Sequence, residues 1–579
     1  MWCTNDWYIT EKIAVAGLCR RMLLNWRPDM TTSSHALLSV FRGHGIDRVF
    51  LVPGESYLGV LDALYDFPDI DTVTCRHESG AGFMAVADAR LSGRPGVALV
   101  SRGPGASNAS IAVHTAQQDA LPLILIVGQV PRADLRREAF QEIDYQRMYG
   151  GIAKWVFEAT EPGQLAEAAF KAIRIATSGT PGPVVLAIPE DIQQQQVPQP
   201  EWSARGTACE PSGAIPDDAT LRTLRQRLER AERPLIVAGG VFEKPGGREA
   251  LAALAEAWQI PVALSFRRHD LFSNLHPLYV GDLGLANPKV QIDAFRESDL
   301  IVALGTRFGD ITSQGYSFPD LPRPAQTFVH AYPDNHMVGL HFAPDFPLVC
   351  DPVELARALT PAVKPAIPNA RPAWARRLKG IHDAHSAWPQ RAAGDGIDFA
   401  QVVRALREQA RADAIVCLDA GTFAAPVYRH FGFVPPQRLM SPLSGTMGYG
   451  TPAAIASQLR FPGRQVICMA GDGGFMMTGN EMIAAVERRL PILFILANNA
   501  SYASIRIQQE LHYPGRVLGT NLFNPDFEQI ARAFGMQAQR VDRLDELAAA
   551  LRSGLAGDGP HFIEIKTSLA VTLPERRSD

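Results

Sequence analysis

Short, unbroken apolar runs alternate along the chain with longer stretches in which apolar residues recur every three or four positions. Over residues 33–192 this pattern predicts helix 34–44, strand 48–52, helix 59–64, strand 71–75, helix 81–92, strand 97–101, helix 107–116 and strand 121–127, with strand 184–187 closing the unit. The strands show no polar alternation, so both faces are expected to lie under helices, as in a parallel sheet. A second stretch of this kind runs over 218–359, with strands at 235–238, 262–264, 300–304 and 327–330. A third runs over 398–570, with strands at 466–470 and 492–497. Residues 193–217, opening on Gln193-Gln194-Gln195-Gln196, and the proline-rich span 360–397 read as linkers. The expected architecture is α/β, with three doubly wound parallel-sheet units at 30–192, 218–359 and 398–570. Their similar size suggests duplication of architecture, although no clean sequence repeat accompanies it.

The ends differ from this pattern. Met30-Thr31-Thr32-Ser33 offers a cap to the first helix. Residues 1–29 carry Trp2, Trp7, Trp26 and Arg20-Arg21 but no long apolar segment; they are expected to be a dispensable extension ahead of a start at Met30. Residues 571–579 read as a tail.

Composition narrows the function classes. The 579 residues are 46% apolar and 20% charged, those of an ordinary globular protein. Lys and Arg number 56 and Asp and Glu 60, a net charge of −4, and no basic run stands out, which argues against nucleic acid as a partner. The seven cysteines are scattered without a CxxC pair, as expected of buried thiols in a reducing, cytoplasmic setting. No apolar stretch reaches membrane-spanning length.

The third unit carries the most informative chemistry. Strands 466–470 and 492–497 flank a predicted helix at 476–490; a right-handed crossover of this length makes them parallel and neighbouring. Their carboxyl ends then open on the side where such sheets bind ligands. The first ends in Gly471-Asp472-Gly473-Gly474 and the second in Asn498-Asn499, with Asp472 and Asn499 27 positions apart. A carboxylate and an amide oxygen suit a hard cation such as Mg2+. The glycines let backbone amides approach an anion. Either motif alone is an ordinary turn or loop; together they read as a site for a metal-bridged diphosphate. The pair matches the GDG…NN signature of thiamine diphosphate enzymes, and the chain resembles the family that includes acetolactate synthase.

The resemblance extends over residues 33–570. Arg76-His77-Glu78-Ser79-Gly80-Ala81 is similar to the family segment that carries the activating glutamate, which implies Glu78 as the catalytic acid against the cofactor's pyrimidine ring. From the residues alone, Glu78 is equally a helix-start acid favoured by the macrodipole. Ser101 to Asn108 resembles a family glycine turn, and Thr180 to Val184 a strand start. Ala139-Phe140-Gln141-Glu142 resembles a segment whose Phe and Gln face substrate, implying Phe140 and Gln141. Asp419-Ala420-Gly421-Thr422 resembles a diphosphate-contacting loop, implying Gly421 and Thr422. Ser444 to Gly450 resembles the loop whose glycine and methionine, here Gly445 and Met447, support the bent cofactor; Met447 also reads as a core methionine. The implied metal ligands are Asp472, Asn499 and the carbonyl of Ser501, with Gly471, Gly473 and Gly474 lining the cofactor. The resemblance further implies a dimer or tetramer, and leaves open a regulatory small subunit and FAD in the middle unit, at Gly281-Asp282-Leu283-Gly284 and Gly305-Thr306-Arg307-Phe308.

Two substrate positions depart from acetolactate synthase. Ile311 stands where that enzyme has an arginine, and Gln508 where it has a tryptophan; Arg506 is the substitute charge nearby. The expected function is thiamine-diphosphate- and Mg2+-dependent decarboxylation of a 2-oxo acid, with pyruvate as the expected substrate, and ligation to a second carbonyl. The alternative is a decarboxylase or 2-hydroxyacyl lyase with another substrate. A binding protein without catalysis is disfavoured by Glu78 and the metal pair.

Overall fold

The computed structural model describes residues 30–200, 213–285, 287–363, 365–391 and 393–573. The extension 1–29 and most of the tail lie outside the described residues. Three six-stranded sheets form, and every strand pair within them is parallel. Ranked by chain order within each unit, the strands of the first and third sheets lie in the same order, 2-1-3-4-6-5, while the middle sheet runs 3-2-1-4-5-6. The duplication of architecture therefore covers the first and third units; the middle one has the order of dinucleotide-binding sheets.

The unbroken apolar strands are buried on both faces, as expected: all residues of Gly96–Val100, Leu123–Gln129 and Pro183–Pro189 are inaccessible. Strand Trp155–Glu158 and helix Gln164–Thr177 go beyond the predicted set. That strand is a half-buried sheet edge of four residues, too short for a period to show. Helix Glu78–Ser92 has no solvent face: Ser79 to Leu91 are all buried, the only charged ones among them, Asp88 and Arg90, being ion-paired to Arg460 and Glu243. It packs between helix Pro104–Asp119 of its own unit and helix Gly450–Arg460 of the third, where a Cβ on Gly82 would stand 2.4 Å from that of Ala112. One continuous apolar core thus joins the first and third units.

The spans between units are also structured. Gln196–Pro198 pairs antiparallel with Met30–Thr32, and Thr32 caps the first helix through the N–H of His35. Helix Arg371–His385 lies over the middle sheet, with Trp374 and Leu378 in its core and the Trp374 indole donating to the Pro234 carbonyl at 3.0 Å. The helix predicted over 476–490 is broken into Asp472–Thr478, a 3-10 turn Gly479–Glu481 and Met482–Glu487. Gly479 makes room for the Phe475 ring, 2.7 Å from where its Cβ would be.

Candidate active site

In a 2-1-3-4 sheet the chain turns from one direction of growth to the other between the first and third strands. Ligands bind above that crevice, at the carboxyl ends. In the third unit the flanking strands are Ile415–Leu418 and Val466–Gly471, so the crevice lies between the loops that begin at Asp419 and at Asp472. Val466–Gly471 pairs in turn with Ile492–Asn498, Gly471 opposite Ala497, which brings Asp472 level with the Asn498-Asn499 turn. Asp472 is buried. Its Oδ1 accepts from the Gly473 N–H at 2.9 Å and its Oδ2 from the Asn524 amide at 2.8 Å. Asn524 also donates to Asn498 Oδ1 at 2.9 Å. Asn499 Oδ1 accepts from the Ser501 N–H at 3.1 Å, and Ala500 between them takes a left-handed φ of 52°.

Burial pushes the Asp472 carboxyl above the usual range, the neighbouring Asn524 amide and backbone N–H groups opposing that shift. Its hydrogen-bond partners are all neutral, so a cation held there would supply the missing counter-charge. Among the described residues no three His, Cys, Asp or Glu side chains cluster as metal ligands. The donor set of one carboxylate, one amide and one backbone carbonyl is all oxygen, and fits Mg2+ rather than a thiolate- or imidazole-preferring metal.

The second part of the crevice is the Met447 loop. Gly445 and Gly448 have positive φ, at 68° and 85°, and Met447 is half-buried between them. Gly448 is held from two sides. Its N–H donates to both oxygens of Asp419, at 2.8 and 3.0 Å, and its carbonyl accepts from the Thr478 hydroxyl at 2.6 Å. Asp419 is buried, and burial pushes its carboxyl up to about 7. Phe423 packs beneath Gly421 and Gly471, 2.8 and 3.2 Å from their would-be Cβ positions, with Thr422 on the loop between. The sequence reading missed Asp419 and Asn524 as site residues. The signal for Asp419 was present, an acid at a strand end one turn before a glycine; Asn524 carries none. Asp419→Asn places an amide N–H against the Gly448 N–H and frees Met447 to move. Since a shift of roughly 1 Å can cost about 10²-fold, turnover is expected to fall at least about tenfold with the fold intact by circular dichroism.

The remaining predicted residues lie on the first unit. Glu78 is the first residue of its helix, with His77 as N-cap. Its Oε2 accepts from Asn108 Nδ2 at 2.9 Å, and a Cβ on Gly105 would stand 3.4 Å from its Oε1. Gln141 has φ 64° and packs on Gly103 of the same turn; Phe140 beside it is 77% exposed. The predicted residues thus fall in two groups, one on the first unit around Glu78 and one on the third around Asp472, and among the described residues no hydrogen bond joins Glu78 to the Asp472 set. Arg506 Nη1 donates to Asn521 at 2.7 Å and Nη2 lies 3.8 Å from Glu510, while its buried Nε has no hydrogen-bond partner among the described residues.

The middle unit has its own switch point, between Pro234–Ala238 and Leu300–Leu304. A Cβ on Gly239 would stand 2.4 Å from the Gly305 carbonyl, one on Gly240 2.9 Å from Arg268 Nε, and one on Gly281 2.8 Å from Gln291 Nε2. Phe308 lies in the unit's apolar core and Arg307 donates to the Gln118 carbonyl of the first unit. Buried Arg268 faces Glu243, which also pairs with Arg90 of the first unit at 2.6 Å. Asp270 bridges Arg248 at 2.8 Å and Arg438 of the third unit at 3.1 Å. These arginines and carboxylates tie the three units together, while Arg268 Nη1 and Arg438 Nη2 stay buried without a hydrogen-bond partner among the described residues.

Comparison with known proteins bears on the family and the fold. Family models described as the thiamine pyrophosphate enzyme N-terminal TPP binding domain, central domain and C-terminal TPP binding domain match residues 31–148, 221–359 and 419–565. The chain is 31% identical to the acetolactate synthase isozyme 2 large subunit of Escherichia coli over 92% of its own length and 94% of the relative's. It is 28% identical to the pyruvate oxidase of Lactiplantibacillus plantarum, covering 88% and 84%. Its fold matches the thiamine diphosphate-dependent 4-hydroxybenzoylformate decarboxylase of Rhodococcus jostii RHA1 with a TM-score of 0.81 at 23% identity, covering 93% and 99%.

Proposed function

The chain belongs to the thiamine-pyrophosphate-dependent enzyme family and is acetolactate-synthase-like; from that premise we propose that it decarboxylates a 2-oxo acid, with pyruvate as first candidate, and joins the remaining fragment to a second carbonyl compound, using Mg2+. The observation that carries the reading is the convergence of Asp472, Asn499 and Ser501 at the ends of two paired strands, with the Met447 loop tied beside them. Thiamine diphosphate, when bound, would supply a nucleophilic carbon that adds to the carbonyl of the 2-oxo acid and a cationic ring that takes up the electron pair left as carbon dioxide departs. The side-chain oxygens of Asp472 and Asn499 and the carbonyl of Ser501 would hold Mg2+ on its diphosphate. Gly471, Gly473, Gly474, Gly421 and Thr422 line that end. Met447 props the middle. Glu78 holds a proton for the pyrimidine ring, and Asn108 fixes the direction of its carboxyl. Phe140 and Gln141 face the donor substrate.

Both groups of residues are rimmed by exposed apolar side chains. Phe140 borders one, and Met476, Ile505, Leu518 and Phe523 border the other. Such surface marks an interface. In the proposed dimer the first-unit rim of one protomer closes over the third-unit crevice of its partner and excludes water from the reaction. A tetramer doubles this unit. The relative's designation as a large subunit raises a small regulatory partner here too. Four free buried thiols, Cys75, Cys350, Cys417 and Cys468, support a reducing, cytoplasmic setting.

Incubation with a 2-oxo acid panel, thiamine diphosphate and Mg2+ tests the reading. Acetolactate from pyruvate supports it; free aldehyde with carbon dioxide supports the lyase alternative. Absence of turnover on every 2-oxo acid overturns both. FAD in the middle unit is a further candidate: a flavin spectrum in the purified protein supports it, and failure to take up added FAD overturns it.

A further inference from the structure

The break in the predicted 476–490 helix has a chemical consequence. It turns Glu481 out of the third unit and into the first, where its side chain is completely buried. Glu481 Oε1 accepts from the backbone N–H of Arg76 at 3.0 Å and of His77 at 2.8 Å. His77 is the N-cap of the helix whose first residue is Glu78. In an ordinary capping box the third helical residue supplies a Glu or Gln side chain that reaches back to the N-cap N–H. Here that residue is Gly80, and a Cβ on it would stand 2.5 Å from Glu481 Oε1. The carboxylate missing from Gly80 is delivered by another unit into the space the glycine leaves.

We propose that Glu481 is a positioning residue for Glu78: by capping the start of helix Glu78–Ser92 from the third unit, it sets where the first turn begins and where the Glu78 carboxyl points. The inference rests on the reading of Glu78 as the acid of the site. It explains why helix Asp472–Thr478 is followed by a 3-10 turn, which aims Glu481 where a continuous helix does not. The ionisable groups that face Glu481 are Arg76, Glu78 and the Cys75 thiol; the Arg76 guanidinium itself reaches Glu487, at 3.3 Å. Burial first, and then the charge of Glu78, push the Glu481 carboxyl up to about 7.

The test compares Glu481→Gln, Glu481→Gly and the exchange variant Gly80→Gln/Glu481→Gly, which rebuilds the capping box within one helix. In the cofactor-free protein, amide hydrogen exchange at residues 76–80 is expected to rise in Glu481→Gly and to return in the exchange variant. In the loaded enzyme, turnover is expected to fall by about 10–100-fold in Glu481→Gly, the scale of a small misplacement of a catalytic group. Mg2+ and thiamine diphosphate affinity stay within about threefold, and the exchange variant recovers most of the rate. Glu481→Gln keeps the shape and is expected to shift the pH profile of turnover with a smaller rate loss, so it serves where Glu481→Gly does not fold. Wild-type exchange, rate and pH profile in Glu481→Gln and Glu481→Gly, or failure of the exchange variant to recover while folded, overturns the proposal. Full activity in Glu78→Gln overturns instead the reading on which it rests.

Discussion

Exchange of Glu78 for glutamine is expected to lower turnover by about 10²–10⁴-fold, the range supplied by a positioned acid or base, while the cofactor still binds. Glutamine keeps the length and the contact with Asn108 but cannot carry the shared proton. The helix start is retained, because its cap is His77 and its buried partners are Ser79 to Leu91, none of which the change touches. Steady-state kinetics on the accepted 2-oxo acid, paired with calorimetric titration of thiamine diphosphate and Mg2+, separates the two quantities. A rate within threefold of the parent removes Glu78 from the chemistry.

The second large effect is expected at the metal. Loss of groups that merely orient metal ligands typically costs about 10–100-fold in affinity. Asn524 is such a group, donating to Asp472 and Asn498, and Asn524→Ala is expected to fall in that range. Asp472→Ala removes the only charged ligand of the proposed set. It is therefore expected to weaken Mg2+-dependent cofactor binding by more than about 100-fold, beyond any outer-shell effect. Titration of the cofactor with and without Mg2+ reads both variants. If Asp472→Ala binds as well as Asn524→Ala, Asp472 is not a ligand. The parent should lose activity on chelation and regain it with Mg2+.

Much of this site was legible in the chain. Asp472 and Asn499 could be placed together because a single crossover separates their strands, and short crossovers have one hand. Glu78 could be placed at a helix start because a strand precedes it and a continuous apolar helix follows. Arg506 could not be placed. Its position on the chain put it beside the acceptor region, but its guanidinium is directed by Asn521, 15 residues on. The middle unit's glycines were ambiguous for the same reason: a glycine signals close approach of something, and only the packed structure shows that the approaching side chains are Gln291 at Gly281, Asp282 at Gly284, and Val241 and Phe242 at Gly305.

The amino-acid pattern by itself determined the buried central strands, most of the helices beside them, and which residue types stand at the strand ends, because these follow from local periodicity and from side chains a few positions apart; the edge strand Trp155–Glu158, helix Arg371–His385 and the break at Gly479 lay beyond it. Tertiary structure decided the strand order that makes the first and third units alike and the middle one different. It also decided the hold of Asp419 and Thr478 on Gly448, and the docking of Glu481 into the space beside Gly80. Each of these joins groups distant along the chain, or depends on which buried donor is left without a local partner, and a buried polar group is satisfied by whatever packing brings to it.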